Sequence, residues 1–251
     1  MGLFTRARWL PRHTIIIPHR DCDATLPLTL WSIRRSAAYC RVENYEVLVV
    51  DAGSRNAPEL VDPRERLVEY PEPMPVFGKP ALQIAGIEAA DHPEVVSFLD
   101  ADMIVGRRWL LGVDALVRDA SITRLCYRVR HLSADRYADL LDHRNPARYL
   151  RWLFRRYGHF QLHFEAWGDP FHNALPTTAW QAQRAWGNSQ FAVRRDVLAD
   201  LRPNATMLGP GIEDLDFNRR FQKRFGDAYR GHLDPRPDYS MFHVPHDPRP
   251  W

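Results

Sequence analysis

Cysteine is scarce and long apolar runs are missing, and these two absences narrow the class of protein. The chain of 251 residues has three cysteines, Cys22, Cys40 and Cys126, an odd number without the spacing of metal ligands. We interpret them as reduced thiols of a cytoplasmic protein. No stretch approaches the roughly 18 consecutive apolar residues of a membrane-spanning helix. Without repeats or low-complexity tracts either, the chain is predicted to be soluble and globular.

A large excess of one charge is missing as well. The formal net charge of +3 is too small to indicate nucleic-acid binding, so no nucleic-acid partner is expected. Hydrophobic residues make up 45% of the chain and charged residues 26%. This composition supplies enough apolar material for one large core or two small ones.

The first ten residues are basic and apolar, but arginine interrupts them too often for a secretory signal. Arg6 stands where the myristoylation pattern requires Ser or Thr, so lipidation is not expected. We expect this segment to pack on the domain through its apolar side chains. A peripheral contact with a membrane surface is the alternative.

Short β-rich runs alternate with amphipathic helical patterns in the first 100 residues. The runs span 14–17, 46–50, 66–70 and 95–99, and the helical patterns span 26–38 and 81–90. Three of the four runs are almost continuously apolar, as buried parallel strands are when helices cover both faces of the sheet. The pattern predicts an open, doubly wound α/β half that binds a nucleotide.

Polar residues follow these runs, at the edge of the sheet where such folds bind ligands. Pro18 to Asp21 follow the first run, Asp51 the second, and the Asp100-Ala101-Asp102 triplet the fourth. Strand alternation would direct Asp100 and Asp102 to one side, where a divalent metal could neutralise both carboxylates and hold a diphosphate. A solvated turn or a helix N-cap is the alternative for the triplet. For Asp51 the alternative is a turn residue that caps its own Gly-Ser loop.

Four segments resemble the GT-A glycosyltransferases of family 2 and relatives with a galactosyltransferase-like C-terminal half. They span residues 14–18, 46–54, 98–102 and 211–217, in the family's order and spacing. The resemblance implies an α/β GT-A fold, with a Rossmann-like, mostly parallel sheet flanked by helices. We expect a single domain over 1–251, with a nucleotide-binding half at 12–105 and an acceptor and catalytic half at 106–251.

The resemblance also implies the donor site. Asp51 would lie against the nucleotide base, and Asp102, with Asp100 beside it, would hold Mn²⁺ or Mg²⁺ on the donor diphosphate. His243 matches a metal-binding histidine of the relatives; His246 is the second choice, and a structural histidine is the alternative. Further donor contacts are assigned to Pro18, Arg20, Lys79, Trp186 and Gly187. For Lys79, a solvent-exposed lysine at a helix start is an equally compatible interpretation. For Trp186, the alternative is a tryptophan of the core.

The acidic segment Glu213-Asp214-Leu215-Asp216 follows two glycines and a proline, which is typical of a helix start. One carboxylate would be explained by the helix dipole, but three exceed that need. Sugar transfer requires a base that takes the acceptor proton. By resemblance Asp214 is the candidate base and Glu213 orients the acceptor or the base, whereas Asp216 is compatible with an ion pair to Arg219 or Arg220.

The family pattern fades over 131–180, which we expect to set acceptor specificity. Asn145-Pro146 predicts a helix start, after which Arg148, Arg151 and Arg155 fall on one face, with Arg156 beside them. A solvated basic face is the default interpretation. A site for an anionic acceptor, such as a lipid phosphate, or for a membrane surface is the alternative.

Three functions are compatible with these features: a metal-dependent glycosyltransferase, a sugar-phosphate nucleotidyltransferase, and a nucleotide-sugar or carbohydrate binder without activity. A nucleotidyltransferase normally has a glycine-rich loop after its first strand, whereas residues 18–23 contain no glycine. We therefore predict a hexosyltransferase-type enzyme that moves a sugar from a nucleoside diphosphate donor, expected to be a UDP-sugar, to a hydroxyl or amine with inversion. The acceptor, whether a glycan, a lipid-linked or a small molecule, is not defined by the sequence, and the inactive binder remains the alternative.

Overall fold

The computed structural model of the protein describes residues 11–120, 122–127, 129–157, 190–207, 212–225 and 241–245. The amino-terminal ten residues, Trp186, Gly187 and His246 lie outside these ranges. The described part alternates strands and helices in its first 100 residues, as predicted. None of its helices combines the length and hydropathy that a membrane span requires.

A mostly parallel sheet of six strands forms the centre of the fold. The strands are β1 (His13–His19), β2 (Tyr45–Asp51), β3 (Glu65–Glu69), β4 (Val95–Phe98), β6 (Arg124–Cys126) and β8 (Phe191–Arg194). Their order in the sheet is β3-β2-β1-β4-β8-β6. Strands β1 to β4 are mutually parallel, β8 is antiparallel to β4, and β6 is antiparallel to β8. The first four strands match the predicted runs within one or two residues, whereas β6 and β8 were not predicted.

Helices α1 (Leu26–Cys40) and α2 (Lys79–Ala89) lie on opposite faces of this sheet. Ile15 and Ile17 of β1 pack in the apolar cluster that contains α1, and Ile16 between them packs against Leu82 of α2. Because successive strand residues face opposite sides, a continuously apolar strand is what two helical layers require.

Gly86 lets α2 approach β1 closely. A Cβ atom at this position would lie 2.5 Å from Cγ2 of the buried Ile16, closer than two carbon atoms can pack. The close approach positions the start of α2, and therefore Lys79, at the edge of the sheet.

A second, smaller sheet has the order β5-β9-β7, formed by β5 (Met103–Val105), β7 (Val129–His131) and β9 (Met241–His243). The helical hairpin of α4 (Ala134–Asp142) and α5 (Pro146–Tyr157) packs on it, with the rings of Phe154 and Phe242 4.6 Å apart. The predicted helix start is confirmed, because Asn145 Oδ1 accepts a 3.0 Å hydrogen bond from the Arg148 amide. The remaining helices are α3 (Asp114–Arg118), α6 (Arg195–Asp200) and α7 (Ile212–Phe225).

Candidate functional site

The parallel register of the central strands brings the predicted polar residues to one edge of the sheet. His19 at the end of β1 is paired with Asp51 at the end of β2. Asp100 and Asp102 follow β4, the neighbour of β1 on its other side. The candidate site is therefore built where the carboxyl ends of three adjacent parallel strands meet.

Asp51 is held by its own loop. Its Oδ2 accepts hydrogen bonds from the amides of Gly53 (3.2 Å) and Ser54 (3.0 Å), and its Oδ1 lies 2.8 Å from Nδ1 of the buried His19. Burial by itself would raise the pKa of Asp51, but the hydrogen bonds from Ser54 and His19 outweigh it and hold the pKa below its ordinary value. Asp51 therefore caps its own Gly-Ser loop and presents a fixed carboxylate at the sheet edge, where its contact with the nucleotide base stays a prediction.

Asp100 is clamped by two partners from distant parts of the chain. Lys79 Nζ, at the first residue of α2, lies 2.7 Å from Asp100 Oδ1. The amide side chain of Gln190 donates to Asp100 Oδ2 and accepts a 2.9 Å hydrogen bond from the Asp100 backbone. Lys79 is therefore not a solvent-exposed lysine, since its side chain is 13% exposed and ion-paired.

Asp102 faces a histidine rather than Asp100's partners. Its side chain is 5% exposed, and Oδ2 lies 3.5 Å from His243 Nε2. The antiparallel pairing of Met103 with His243 and a 2.9 Å bond from the Val244 amide to the Asp102 carbonyl fix this juxtaposition. One carboxylate and one imidazole nitrogen are ligands that suit Mn²⁺.

The two aspartates lie beyond the end of the strand and have different partners. Strand β4 ends at Phe98, and Asp100 and Asp102 lie in the turn that leads to β5, so strand alternation does not govern them. Among the described residues, no three His, Cys, Asp or Glu side chains converge as a metal site. Of the three residues predicted to bind metal, the structure brings Asp102 and His243 together, whereas Asp100 is held by Lys79.

Glu213 and Asp214 lie in the first turn of α7, as the acidic segment predicts. The pKa of Asp214 is raised to about 6, because burial, together with the charges of Glu213 and Asp100, outweighs the opposing charge of Lys79. Lys79 in turn has its pKa raised: burial opposes its charge, but Asp100, Asp214 and Glu213 outweigh that effect. The charge of Lys79 therefore interacts with three carboxylates from two separate motifs, and it is in direct contact with that of Asp100. Asp216 instead pairs with Arg220 at 2.7 Å.

Two further residues that the sequence assigns to the donor site, Arg20 and Pro18, lie in the described part of the chain. Arg20 donates to the Met74 carbonyl at 2.6 Å, and Pro18 is a buried residue within β1. Trp186, Gly187, His246 and the residues at 208–211 before α7 lie outside the described residues.

A row of buried hydroxyls on α1 holds the segment that carries Asp102. Thr29 Oγ1 donates to the Ala101 carbonyl (2.9 Å) and accepts from the Met103 amide (3.1 Å). Ser32 Oγ accepts from the Val105 amide at 3.0 Å, and Ser36 Oγ from the Leu110 amide at 3.3 Å. The spacing of three and four residues puts the three hydroxyls on one helix face. Helix α1 therefore supports the Asp102 turn directly.

We expect Thr29→Val to lower the free energy of unfolding by about 1–3 kcal/mol, because the buried Met103 amide loses its acceptor while side-chain volume is kept. Thr29→Ser retains the hydroxyl and should lose less. Urea denaturation of the three proteins measures the difference. Equal stability of Thr29→Val and wild type would mean that these hydrogen bonds do not hold the turn.

Gln190 and Arg124 were not identified from the sequence. Arg124 is 1% exposed, its guanidinium carbon lies 4.1 Å from the Phe191 ring centre, and it donates a hydrogen bond to Asn218 of α7. Its charge also lowers the pKa of Asp214. Arg124 thus anchors the helix that carries the acidic segment. In the sequence, the apolar pair that directly follows Arg124 is the only local sign of a strand at this position.

The sequence matches the family described as glycosyl transferase family 2 over residues 14–175. Because this match spans more than half of the chain, the protein belongs to that family. Sequence comparison with curated proteins gives no match.

Solved structures of glycosyltransferases share the fold. Glucosyl-3-phosphoglycerate synthase from Mycobacterium tuberculosis, in complex with Mn²⁺, UDP and glucosyl-3-phosphoglycerate, aligns with a TM-score of 0.55 and 19% identity over 96% of this chain and 73% of its own. The mannosyltransferase PcManGT from Pyrobaculum calidifontis, in complex with GDP-Man and Mn²⁺, gives 0.56 and 18% over 95% and 59%. Residues 1–349 of TarS from S. aureus give 0.54 and 14% over 93% and 60%. The GT-A fold is thereby confirmed, and with the family match the protein is a glycosyltransferase.

Proposed function

We propose that the protein transfers a sugar from a nucleoside diphosphate donor to an acceptor hydroxyl or amine, with Mn²⁺ or Mg²⁺ bound at Asp102 and His243. The proposed donor is a UDP-sugar. The observation that carries the proposal is the pairing of a buried carboxylate with an imidazole nitrogen, 3.5 Å apart, at the edge where three parallel strands end. Structures of family relatives bound to UDP or GDP-Man with Mn²⁺ support the same donor chemistry.

Asp102 and His243 would hold the ion, and Mg²⁺ and similar hard ions are commonly bound by few protein groups together with substrate phosphates. The bound ion would stabilise negative charge on the leaving diphosphate. Asp100 would be a ligand only after exchanging Lys79 for the metal, since the two groups are 2.7 Å apart. We therefore propose that the main role of Asp100 is to orient Lys79, and that Lys79 binds the donor phosphates.

Asp214 is proposed as the general base and Glu213 as its orienting neighbour. Both start α7, near the Lys79 and Asp100 pair whose charges act on Asp214. A carboxyl group that loses its proton near neutral pH is suited to accept a proton from an acceptor hydroxyl. Inversion at the sugar is proposed on the same basis, because one base serving a direct displacement needs no second nucleophile.

A thermal-shift panel of UDP, GDP, dTDP and CMP, each with Mn²⁺, Mg²⁺ or EDTA, tests the donor class. We expect one nucleoside diphosphate to raise the melting temperature only when metal is present, because a ligand that binds the folded state stabilises it. Release of that diphosphate from UDP-glucose or GDP-mannose would then report turnover. Stabilisation without any turnover would favour the inactive binder, and no stabilisation by any nucleotide would contradict the proposed donor site.

A further inference from the structure

A second positively charged site lies away from the catalytic edge. Arg35, Tyr39, Arg107, Ala147, Arg151 and Phe154 line a cavity of about 120 Å³ between α1, α5 and the segment after β5. This volume is several times the roughly 30 Å³ that a water molecule occupies in the liquid. The six lining residues include three arginines and no carboxylate. The cavity therefore has the electrostatic character of an anion site.

Two of the three guanidinium groups are held in place by aromatic rings and backbone. The Arg107 guanidinium carbon lies 4.7 Å from the centre of the Tyr39 ring, and that of Arg35 lies 5.4 Å from the Trp31 ring. Arg35 also donates to the Ala147 carbonyl at 3.5 Å, which ties α1 to α5 across the cavity. A guanidinium group that is already held by such contacts loses less side-chain entropy when it binds an oxyanion through paired N–H groups.

The cavity is separate from the donor site. Thr29 of α1 contacts the Asp102 turn, whereas Arg35 of the same helix lines the cavity six residues further on. At 1.5 Å per helical residue the two points are about 9 Å apart along the helix. The Asp102 turn and the cavity therefore meet α1 at different helical turns.

The surface beside the cavity is also basic. Arg148 and Arg155, one helical turn on either side of Arg151 on α5, are exposed. Trp152 of the same helix is 43% exposed. A phosphate that enters the cavity would thus pass exposed arginines of α5 and one exposed aromatic ring.

We propose that Arg35, Arg107 and Arg151 form a phosphate-binding site distinct from the donor site. The ligand chemistry is a phosphate mono- or diester group, carried either by a soluble anion or by the headgroup of an anionic lipid. The site holds that group without chemical change, so no bond is made or broken there. On this proposal the basic face of α5 contributes to binding a phosphate group and is not merely a solvated surface.

The test compares Arg107→Gln and Arg151→Gln with Arg156→Gln in the full-length chain. Arg156 is exposed on α5, is not among the residues lining the cavity, and gives the same change of charge. Inorganic pyrophosphate in EDTA, followed by calorimetry, probes a soluble anion. Co-sedimentation with phosphatidylcholine vesicles, with and without phosphatidylglycerol, probes a lipid headgroup. Melting temperatures of the variants check that they are folded, and the two cavity variants change different elements.

We expect each cavity variant to weaken binding of at least one probe by about tenfold or more, because charge-assisted hydrogen bonds are lost. Arg156→Gln should change the affinity for the same probe by less than about threefold. Loss confined to vesicles containing phosphatidylglycerol identifies the lipid headgroup, and loss confined to pyrophosphate identifies a soluble anion. An equal loss in Arg156→Gln would overturn the site, because binding would then follow total charge. The site would also be overturned if the wild-type protein bound neither pyrophosphate nor vesicles containing phosphatidylglycerol.

Discussion

Asp102→Asn is expected to remove the metal-dependent part of nucleotide binding. The substitution keeps the shape of a side chain that is 5% exposed but withdraws the negative charge facing His243 Nε2. Changes to groups that merely support metal ligands cost about 10–100-fold in affinity, so loss of a ligand should cost at least about 100-fold. Titration of the stabilising nucleoside diphosphate with and without Mn²⁺, followed by thermal shift, measures this loss.

Asp142→Asn is the matched control, because Asp142 is exposed at the end of α4 and gives the same change of charge. It should bind nucleotide and metal as the wild-type protein does. His243→Gln removes the other member of the pair and should reproduce the loss by an independent route. If Asp102→Asn retained full Mn²⁺-dependent stabilisation, the metal would have to be held elsewhere.

Asp214→Asn is expected to separate binding from chemistry. Without a carboxylate to accept the proton, the turnover number should fall by about 10²–10⁴-fold, the usual contribution of a general base. Donor affinity should change by less than about threefold, since Lys79 keeps its 2.7 Å contact with Asp100. Diphosphate release from the stabilising sugar nucleotide gives the rate, and thermal shift gives the affinity.

Asp216→Asn provides the control on the same helix. Its carboxylate pairs with Arg220 instead of facing Lys79, so its loss should leave the turnover number within a few-fold of wild type. Near-normal turnover in Asp214→Asn would show that another group takes the proton. An equal loss of donor binding and of turnover would instead assign Asp214 to donor binding.

The first half of the fold was predictable because its signals are local. Almost continuously apolar runs at 14–17, 46–50 and 95–99 indicate strands that are buried on both faces, and the structure has β1, β2 and β4 at these places. The acidic start of α7 and the start of α5 at Pro146 were also readable, since helix termini depend on neighbouring residues.

The contacts that complete the site were not predictable, because they depend on long-range register. Gln190 reaches Asp100 only because β8 pairs antiparallel with β4, with Phe191 opposite Phe98. Arg124 reaches α7 through β6, whose pairing with β8 spans about 67 residues of chain. A short strand carries no sequence mark of which partner it will choose, so the neighbours of such residues follow from tertiary packing alone.

The hydroxyl row on α1 also determines how the Asp102 turn can open. The amides of Met103, Val105 and Leu110 are bonded to hydroxyls of α1, at 3.1, 3.0 and 3.3 Å. These amides can exchange with solvent deuterium by this route only when the helix and the segment separate. The Asp102 turn is therefore one cooperative unit with α1, and its exchange rates would record the same opening free energy as those of the helix.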